Sequence, residues 1–361
     1  MILILSQAHL EASTEEVMDW IERLGGRCLR LNGEDFDGDA ALAWSVDGGE
    51  VRLRIGMGGG PPGAAPEPAA GAATLALPLA EVRAVWFRRW LGERRHESAE
   101  LFASPPDAQG LDHRLRRHLT LESRKLADFF FARLAGRPWL SHPWRASPAK
   151  LEVLAHAARL GLAVPATLVT TERDELRRFC VAHGTVVTKP IGEVELFLHG
   201  GRRHFMYTAA LDLAAVERLP ERFAPSLFQE RLEKSYELRV FCLDGECHAM
   251  AIFSQRDQQT RIDFRNYNRQ RPNRNVPYRL RPSTASALAR LLRELELETG
   301  SIDLIRTPDR REVFLEVNPV GQFGMVSKPC NFGLERKLAE HLLRLAGSGP
   351  AGAGEAAHGG R

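Results

Sequence analysis

Two apolar strands near the C-terminus constrain this chain more than any other stretch. They are Ser301-Ile302-Asp303-Leu304-Ile305-Arg306 and Val313-Phe314-Leu315-Glu316-Val317-Asn318-Pro319. Between them, Thr307-Pro308-Asp309-Arg310-Arg311 has the composition of a hairpin loop. With the turn centred between Asp309 and Arg310, Asp303 stands opposite Glu316. Opposed residues of an antiparallel pair have Cβ atoms about 4.5–5.5 Å apart. Two carboxylates at that spacing repel unless a cation separates them. Asn318, two residues past Glu316, points to the same face. Such hard oxygen ligands suit Mg²⁺, which is usually held by one or two carboxylates and substrate phosphates. The plainer alternative is a surface hairpin with two solvated acids. It ranks lower because both acids interrupt apolar strands, where a lone carboxylate is costly.

A length of 361 residues predicts two or three domains. No apolar run reaches the ~18–20 residues that span a bilayer. The opening Met1-Ile2-Leu3-Ile4-Leu5-Ser6 lacks the basic lead and cleavage site of a secretory signal and reads as a buried first strand. The five cysteines are scattered, with no metal-binding spacing. Cys242 and Cys247 flank the turn Leu243-Asp244-Gly245-Glu246 and read as core residues rather than ligands. A reducing cytoplasm is expected. The net charge of +3 is too mild to imply nucleic acid by itself, although arginine is locally dense.

Strand and helix alternate at the start: a strand over 1–6, a helix opening on the capping-box pattern Ser13-Thr14-Glu15-Glu16, and a strand over 27–31. No Gly-x-Gly-x-x-Gly follows the first strand, so a dinucleotide site is unsupported. Residues 56–73 are rich in Gly, Ala and Pro and read as a flexible loop or insertion. Strand character returns over 81–90, and a long amphipathic helix is expected over 113–135. Ser147-Pro148 predicts a helix start, and Thr185-Val186-Val187-Thr188-Lys189 a strand. Residues 194–198 and 203–208 form a hairpin around His199-Gly200-Gly201-Arg202. Strands are expected over 237–243 and 247–254, and helices over 283–298 and 334–345. Residues 347–361 form a Gly/Ala-rich tail with the composition of a disordered segment.

Lys189 ends a β-branched strand, where a lysine either snorkels to solvent or meets an anion. Lys150 lies in the first turn of a helix, where a cation is mildly unfavourable without a partner. With a Mg²⁺ site, the two lysines suggest a polyphosphate. Phe228-Gln229-Glu230-Arg231-Leu232 reads as an extended connector whose backbone can bond an adenine edge. Glu237 can accept from ribose hydroxyls, and Arg239, on the same face, can reach phosphates. An exposed Glu/Arg stripe on an edge strand explains the same pattern equally well. The densest basic region spans 261–275, with Phe264 and Tyr267 interleaved. Its arginines can pair with phosphate or carboxylate, bind single-stranded nucleic acid, or fix a loop through salt bridges. Asp263 sits among them as an orienting acid would.

The order Lys150, Lys189, Gln229-Glu230, Glu237-Leu238-Arg239, Asp303, Glu316 and Asn318 resembles the ATP-grasp superfamily. More narrowly, the chain resembles the graspetide (microviridin-like) ATP-grasp peptide maturases, of the grasp-with-spasm type. The matching stretches include Trp86-Phe87-Arg88-Arg89-Trp90, Asp263-Phe264-Arg265-Asn266-Tyr267-Asn268, Pro272-Asn273-Arg274 and Phe314-Leu315-Glu316-Val317-Asn318-Pro319-Val320-Gly321-Gln322-Phe323-Gly324. The resemblance implies a mixed α/β and α+β fold. An N-terminal α/β (pre-ATP-grasp) domain over 1–138 would precede two α+β lobes clamping ATP, a central one over 139–232 and a C-terminal one over 233–346.

Lys150 and Lys189 would contact ATP phosphates, Glu230, Arg231 and Leu232 the adenine, and Glu237 the ribose, with Gln229 also among the ATP-binding residues. Asp303, Glu316 and Asn318 would carry Mg²⁺. Arg239 and Arg265 would hold the γ-phosphate and an acyl phosphate, with Asp263 positioning or deprotonating the acceptor. Arg88, Arg89, Arg261 and Arg274 would attract an acidic core peptide, and the hairpin over 194–208 its leader. The implied activity is macrocyclisation of a precursor peptide through ω-ester or ω-amide links. Implied partners are that peptide, a second copy of the chain and a radical-SAM SPASM protein, with no nucleic acid or membrane. The alternative within the superfamily is a ligase that adds free amino acids to a protein or builds glutathione-like dipeptides. One departure is evident: no long glycine-rich loop is available to cover the phosphates, only Gly200-Gly201.

Overall fold

The computed structural model describes residues 1–348, except 8, 10, 34–41, 48–49, 57–73, 77–78, 91–112, 193–195, 200–201, 206–207, 256–269 and 271. These form two compact units, one of residues 1–142 with 335–361, the other of residues 143–334.

In the first unit, β1 (Ile2–Ser6), α1 (Ala12–Arg23) and β2 (Cys28–Asn32) form the expected βαβ turn. A separate three-stranded sheet comprises β3 (Leu42–Asp47), β4 (Glu50–Gly56) and β5 (Thr74–Ala76). Then come β6 (Ala84–Phe87), α2 (His113–Leu134) and β7 (Trp139–Leu140). The parallel sheet has the order β2-β1-β6-β7. Every residue of β1 and β6 is buried, which is why both read as unbroken apolar runs. The capping box does not form. The helix begins earlier, on Glu11, which makes no side-chain cap, and the Thr14 hydroxyl donates to the Glu11 carboxylate.

The second unit opens with α3 (Lys150–Arg159), capped at Ala149 and not at Ser147, so Lys150 is its first residue. Next are β8 (Thr167–Glu172), α4 (Arg173–His183), β9 (Val186–Lys189), β10 (Leu196–His199) and β11 (Arg202–Phe205). The last two pair antiparallel with His199 opposite Arg202, the register of a two-residue turn. They are followed by β12 (Ala209–Leu211), α5 (Leu213–Glu217) and β13 (Arg222–Glu230). The run read as a connector is therefore the end of a nine-residue strand, central in the antiparallel order β12-β9-β13-β8. Leu176, Cys180, Val186, Val216 and Phe228 pack beneath this sheet, against α4 and α5.

The second sheet comprises β14 (Tyr236–Leu243), β15 (Glu246–Phe253), β16 (Arg274–Tyr278), β17 (Thr299–Arg306) and β18 (Glu312–Asn318), in the order β16-β15-β14-β17-β18. The helices α6 (Pro282–Glu294) and α7 (Gly324–Cys330) belong to the same unit, and α8 (Leu334–Ser348) ends the described chain. It runs past the expected 345 into the segment read as tail; the remaining tail, like the loop over 57–73, lies outside the described residues. Leu238, Val240 and Cys242 of β14 join Leu288, Leu291 and Leu292 of α6 in the main core. By strand alternation the opposite face of β14 presents Glu237, Arg239 and Phe241. Phe241 is covered by Phe323, so polar residues remain open at one end only. Cys242 and Cys247, expected as core residues in a reducing cytoplasm, are cross-strand partners joined by a disulfide.

Candidate active site

A cleft of about 830 Å³ lies within the second unit, lined by residues of its four- and five-stranded sheets. Along one wall, Asp303 and Glu316 are direct cross-strand partners, as expected, but by a different route. The ladder leaves the loop with Arg306 opposite Glu312, so the turn centres on Asp309. That register alone would place Asp303 opposite Leu315. A β-bulge between the Asp303 and Leu304 pairs absorbs Leu315 and brings Glu316 into line. Bulges commonly re-aim side chains next to active sites. In the loop, Arg310 adopts φ 66°, and the Thr307 amide donates to the Arg311 carbonyl at 3.1 Å.

Each of these carboxylates faces a cation. Arg239, directly across on β14, bonds Asp303. Lys189, from the other sheet, lies 3.8 Å from Glu316. The opposed charges offset the repulsion of two acids in a half-buried place. Asn318 is exposed at the cleft rim, and its Oδ1 accepts from the Val320 amide at 3.1 Å, leaving a second lone pair. Among the described residues, no group of three or more His, Cys, Asp or Glu is disposed to hold a metal. Two carboxylates and one amide oxygen form an incomplete shell. That suits Mg²⁺ arriving with phosphate oxygens and water, and not a structural ion caged by protein.

On the opposite wall, Lys150 donates to the carbonyls of Pro190 (3.2 Å) and Gly192 (2.7 Å), tying α3 to the segment after β9. At the end of β13, the Gln229 amide donates to the Thr167 hydroxyl at 3.0 Å. Glu230 Oε1 accepts from the Ala166 amide at 3.0 Å, and the Arg231 amide donates to Thr185 O at 3.1 Å. Gln229 and Glu230 thus use their side chains to hold neighbouring strands, so any base recognition here falls to main-chain groups and Leu232. Glu237 lies at the mouth of β14, paired with Lys234. Burial pushes its carboxyl above the ordinary glutamate range, opposed by Lys234 and aided by nearby Asp303.

All the residues proposed for ATP and metal line this one cleft: Lys150, Lys189, Gln229, Glu230, Arg231, Leu232, Glu237, Asp303, Glu316 and Asn318. Arg239 stands just behind, on Asp303. Arg261, Asp263 and Arg265 lie outside the described residues. Arg274 is exposed on the edge strand β16, its guanidinium 5.4 Å from the Phe253 ring centre. Arg88 and Arg89 belong to the first unit. Arg88 is buried, 3.5 Å from Glu11, and burial lowers its guanidinium to about 10. Arg89 is a third exposed and also reaches Glu11. Sequence reasoning missed Lys234, His183, Gln255 and Thr208, which also line the cleft. Only Lys234 left a signal, a lysine three residues before the strand glutamate.

No family profile matches the chain, and no curated protein does. Solved structures do. A RiPP-associated ATP-grasp ligase of Chryseobacterium gregarium, in complex with ADP and a leader and core peptide, aligns over 97% of both chains at 22% identity and a TM-score of 0.76. The macrocyclase MdnC of Microcystis aeruginosa, bound with precursor peptide MdnA, aligns over 95% of this chain and 99% of its own, at 25% identity and a TM-score of 0.74. The ATP-grasp ligase PsnB, complexed with minimal precursor, Mg and ADP, aligns over 96% and 97%, at 18% identity and a TM-score of 0.67.

Proposed function

We propose that this chain, whose fold is that of the ATP-grasp ligases, is an ATP-dependent ligase that matures a ribosomal precursor peptide. The observation that carries the reading is the convergence of two upstream lysines, one ribose-type glutamate and a facing acid pair on a single cleft. The likeness to ligases bound to precursor peptides supports the substrate class.

Asp303, Glu316 and Asn318 would hold Mg²⁺, which when bound neutralises phosphate charge. Lys150 and Lys189 exchange their present partners for ATP phosphates, and Arg239 turns toward the transferring phosphoryl. Fixed cations of this kind stabilise the charge that develops in the transition state. An Asp or Glu carboxylate oxygen of the peptide bonds to the γ-phosphorus while the bond to ADP breaks. A Ser/Thr hydroxyl or Lys amine of the same peptide then attacks the acyl carbon. Phosphate leaves, the nucleophile loses its proton, and an ω-ester or ω-amide closes the ring. Asp263 and Arg265 are assigned to the acceptor and acyl phosphate, and Arg88, Arg89, Arg261 and Arg274 to an acidic core, on sequence resemblance. The same resemblance supports the three-domain division, a homodimer and a SPASM-protein partner, while the cytoplasmic reading rests on the scattered cysteines alone.

Incubation with ATP, Mg²⁺ and the short peptide encoded beside the gene tests the proposal by mass. Loss of one water per linkage is expected. A gain of one amino-acid residue would instead establish the rival ligase that adds free amino acids.

A further inference from the structure

Asn318 is followed by a tight turn whose parts all bear on its amide. The Gly321 amide donates to the Asn318 carbonyl at 3.1 Å and closes a β-turn with Pro319 at its second position, where the fixed φ of proline fits. Inside the turn, Asn318 Oδ1 accepts from the Val320 amide at 3.1 Å. That bond sorts the two ends of the side chain, since the opposite rotamer would set an NH₂ group against the Val320 N–H. The turn is seated on Ser301. This residue is 1% exposed on β17, directly opposite Asn318 and two residues from Asp303 on the same face. Its hydroxyl donates to the Gln322 carbonyl at 3.1 Å. A Cβ at Gly321 would stand 2.5 Å from Ser301 Cβ, 2.7 Å from Ser301 Oγ and 3.1 Å from the Asn318 carbonyl oxygen, so only glycine lets the turn come this close.

We infer that Ser301 and Gly321 are positioning residues that clasp the turn over 318–322 to β17 and hold the Asn318 amide oxygen where it joins Asp303 and Glu316 around the cation. The inference rests on the Mg²⁺ and nucleotide reading above. Asn318 is exposed and is the last residue of β18, so no ladder beyond it fixes its side chain. Without the clasp the amide would sample several rotamers, and ordering it would weaken metal binding. A clasp that served the fold alone would lower thermal stability whether or not residue 318 carried an amide.

The test is calorimetric titration of the full chain with ATP, with and without saturating Mg²⁺, read as the gain in ATP affinity that Mg²⁺ brings. Ser301→Ala should reduce that gain about three- to tenfold, the range of one neutral hydrogen bond, and leave Mg²⁺-free ATP binding within about twofold of wild type. Gly321→Ala should reduce it at least as far. In an Asn318→Ala background, Ser301→Ala should change the gain by less than about twofold, because residues that act through one another are not additive. A gain unchanged in Ser301→Ala, or an equal loss with and without the Asn318 amide, overturns the inference. Ser301→Ala removes a single atom, so that outcome is readable even where Gly321→Ala does not fold. Wild-type chain that binds no ATP, or binds it equally with and without Mg²⁺, overturns the nucleotide and metal reading instead.

Discussion

Asp303 and Glu316 stand opposite each other on paired strands, each against a cation. Their chemistry is therefore testable at a single atom. Glu316→Gln keeps the side chain's shape while removing one charge from the acid pair and the counter-charge of Lys189. Turnover should fall at least about a hundredfold, the scale of losing a main electrostatic contributor to a transition state. Phosphate release in the presence of precursor peptide measures it, and unchanged turnover would return the acids to a solvated surface pair. Cys28 offers a separate, pH-based check on the first unit. Burial, then Glu22 and Asp19, push its thiol to about 11 from an ordinary 9. Its alkylation rate should therefore keep rising tenfold per pH unit up to about pH 11. The folded state binds this proton more tightly than the unfolded chain. The associated stability is thus complete below pH 9 and is lost as pH climbs from 9 to 11.

The hairpin of β14 and β15 closes on its own disulfide. Cys242 and Cys247 are directly opposed, and Cys28, Cys180 and Cys330 are free. Titration of denatured chain should find three reactive thiols without reductant and five with it. The loop is short, so replacing both cysteines by serine should cost only about 2 kcal/mol by loop-closure entropy. The next hairpin shows how far an element is legible from its residues. Alternation and a Pro-Asp turn suffice to pair β17 with β18, but the facing of Asp303 and Glu316 depends on a bulge. The bulge at Leu315 is not legible, because a one-residue insertion in an apolar strand leaves the local pattern unchanged. β13 was hidden by Pro225 and a weak alternation, yet it is central because β8 and β9 both pair with it. β16 carries Pro277, which an edge strand tolerates.

Across the whole molecule, nucleotide and metal should report as one ligand. The acid pair is already neutralised by Arg239 and Lys189, so neither Mg²⁺ nor ATP alone can replace those contacts without leaving a charge unmatched. Saturation with both should stabilise the chain by about 2.7 kcal/mol at a hundredfold excess over Kd. Each alone should give a clearly smaller shift, and EDTA should reverse the effect of the pair. Thermal unfolding followed by fluorescence reads all four conditions. Equal shifts from ATP with and without Mg²⁺ would remove Asp303 and Glu316 from the nucleotide site.

The amino-acid sequence determined the β14–β15 and β17–β18 hairpins and the order of the lysines, because alternation, turn chemistry and the cost of lone charges all act within a few residues. Tertiary structure alone decided that Lys189 meets Glu316, that Gln229 and Glu230 turn to neighbouring strands, and that Lys234 is buried on Glu237. Each of these contacts depends on the desolvation of a charged or polar group by chain distant in sequence. The linker Arg231-Leu232-Glu233-Lys234 looks solvated throughout, and Arg231 and Glu233 are exposed, but the Lys234 side chain is largely covered.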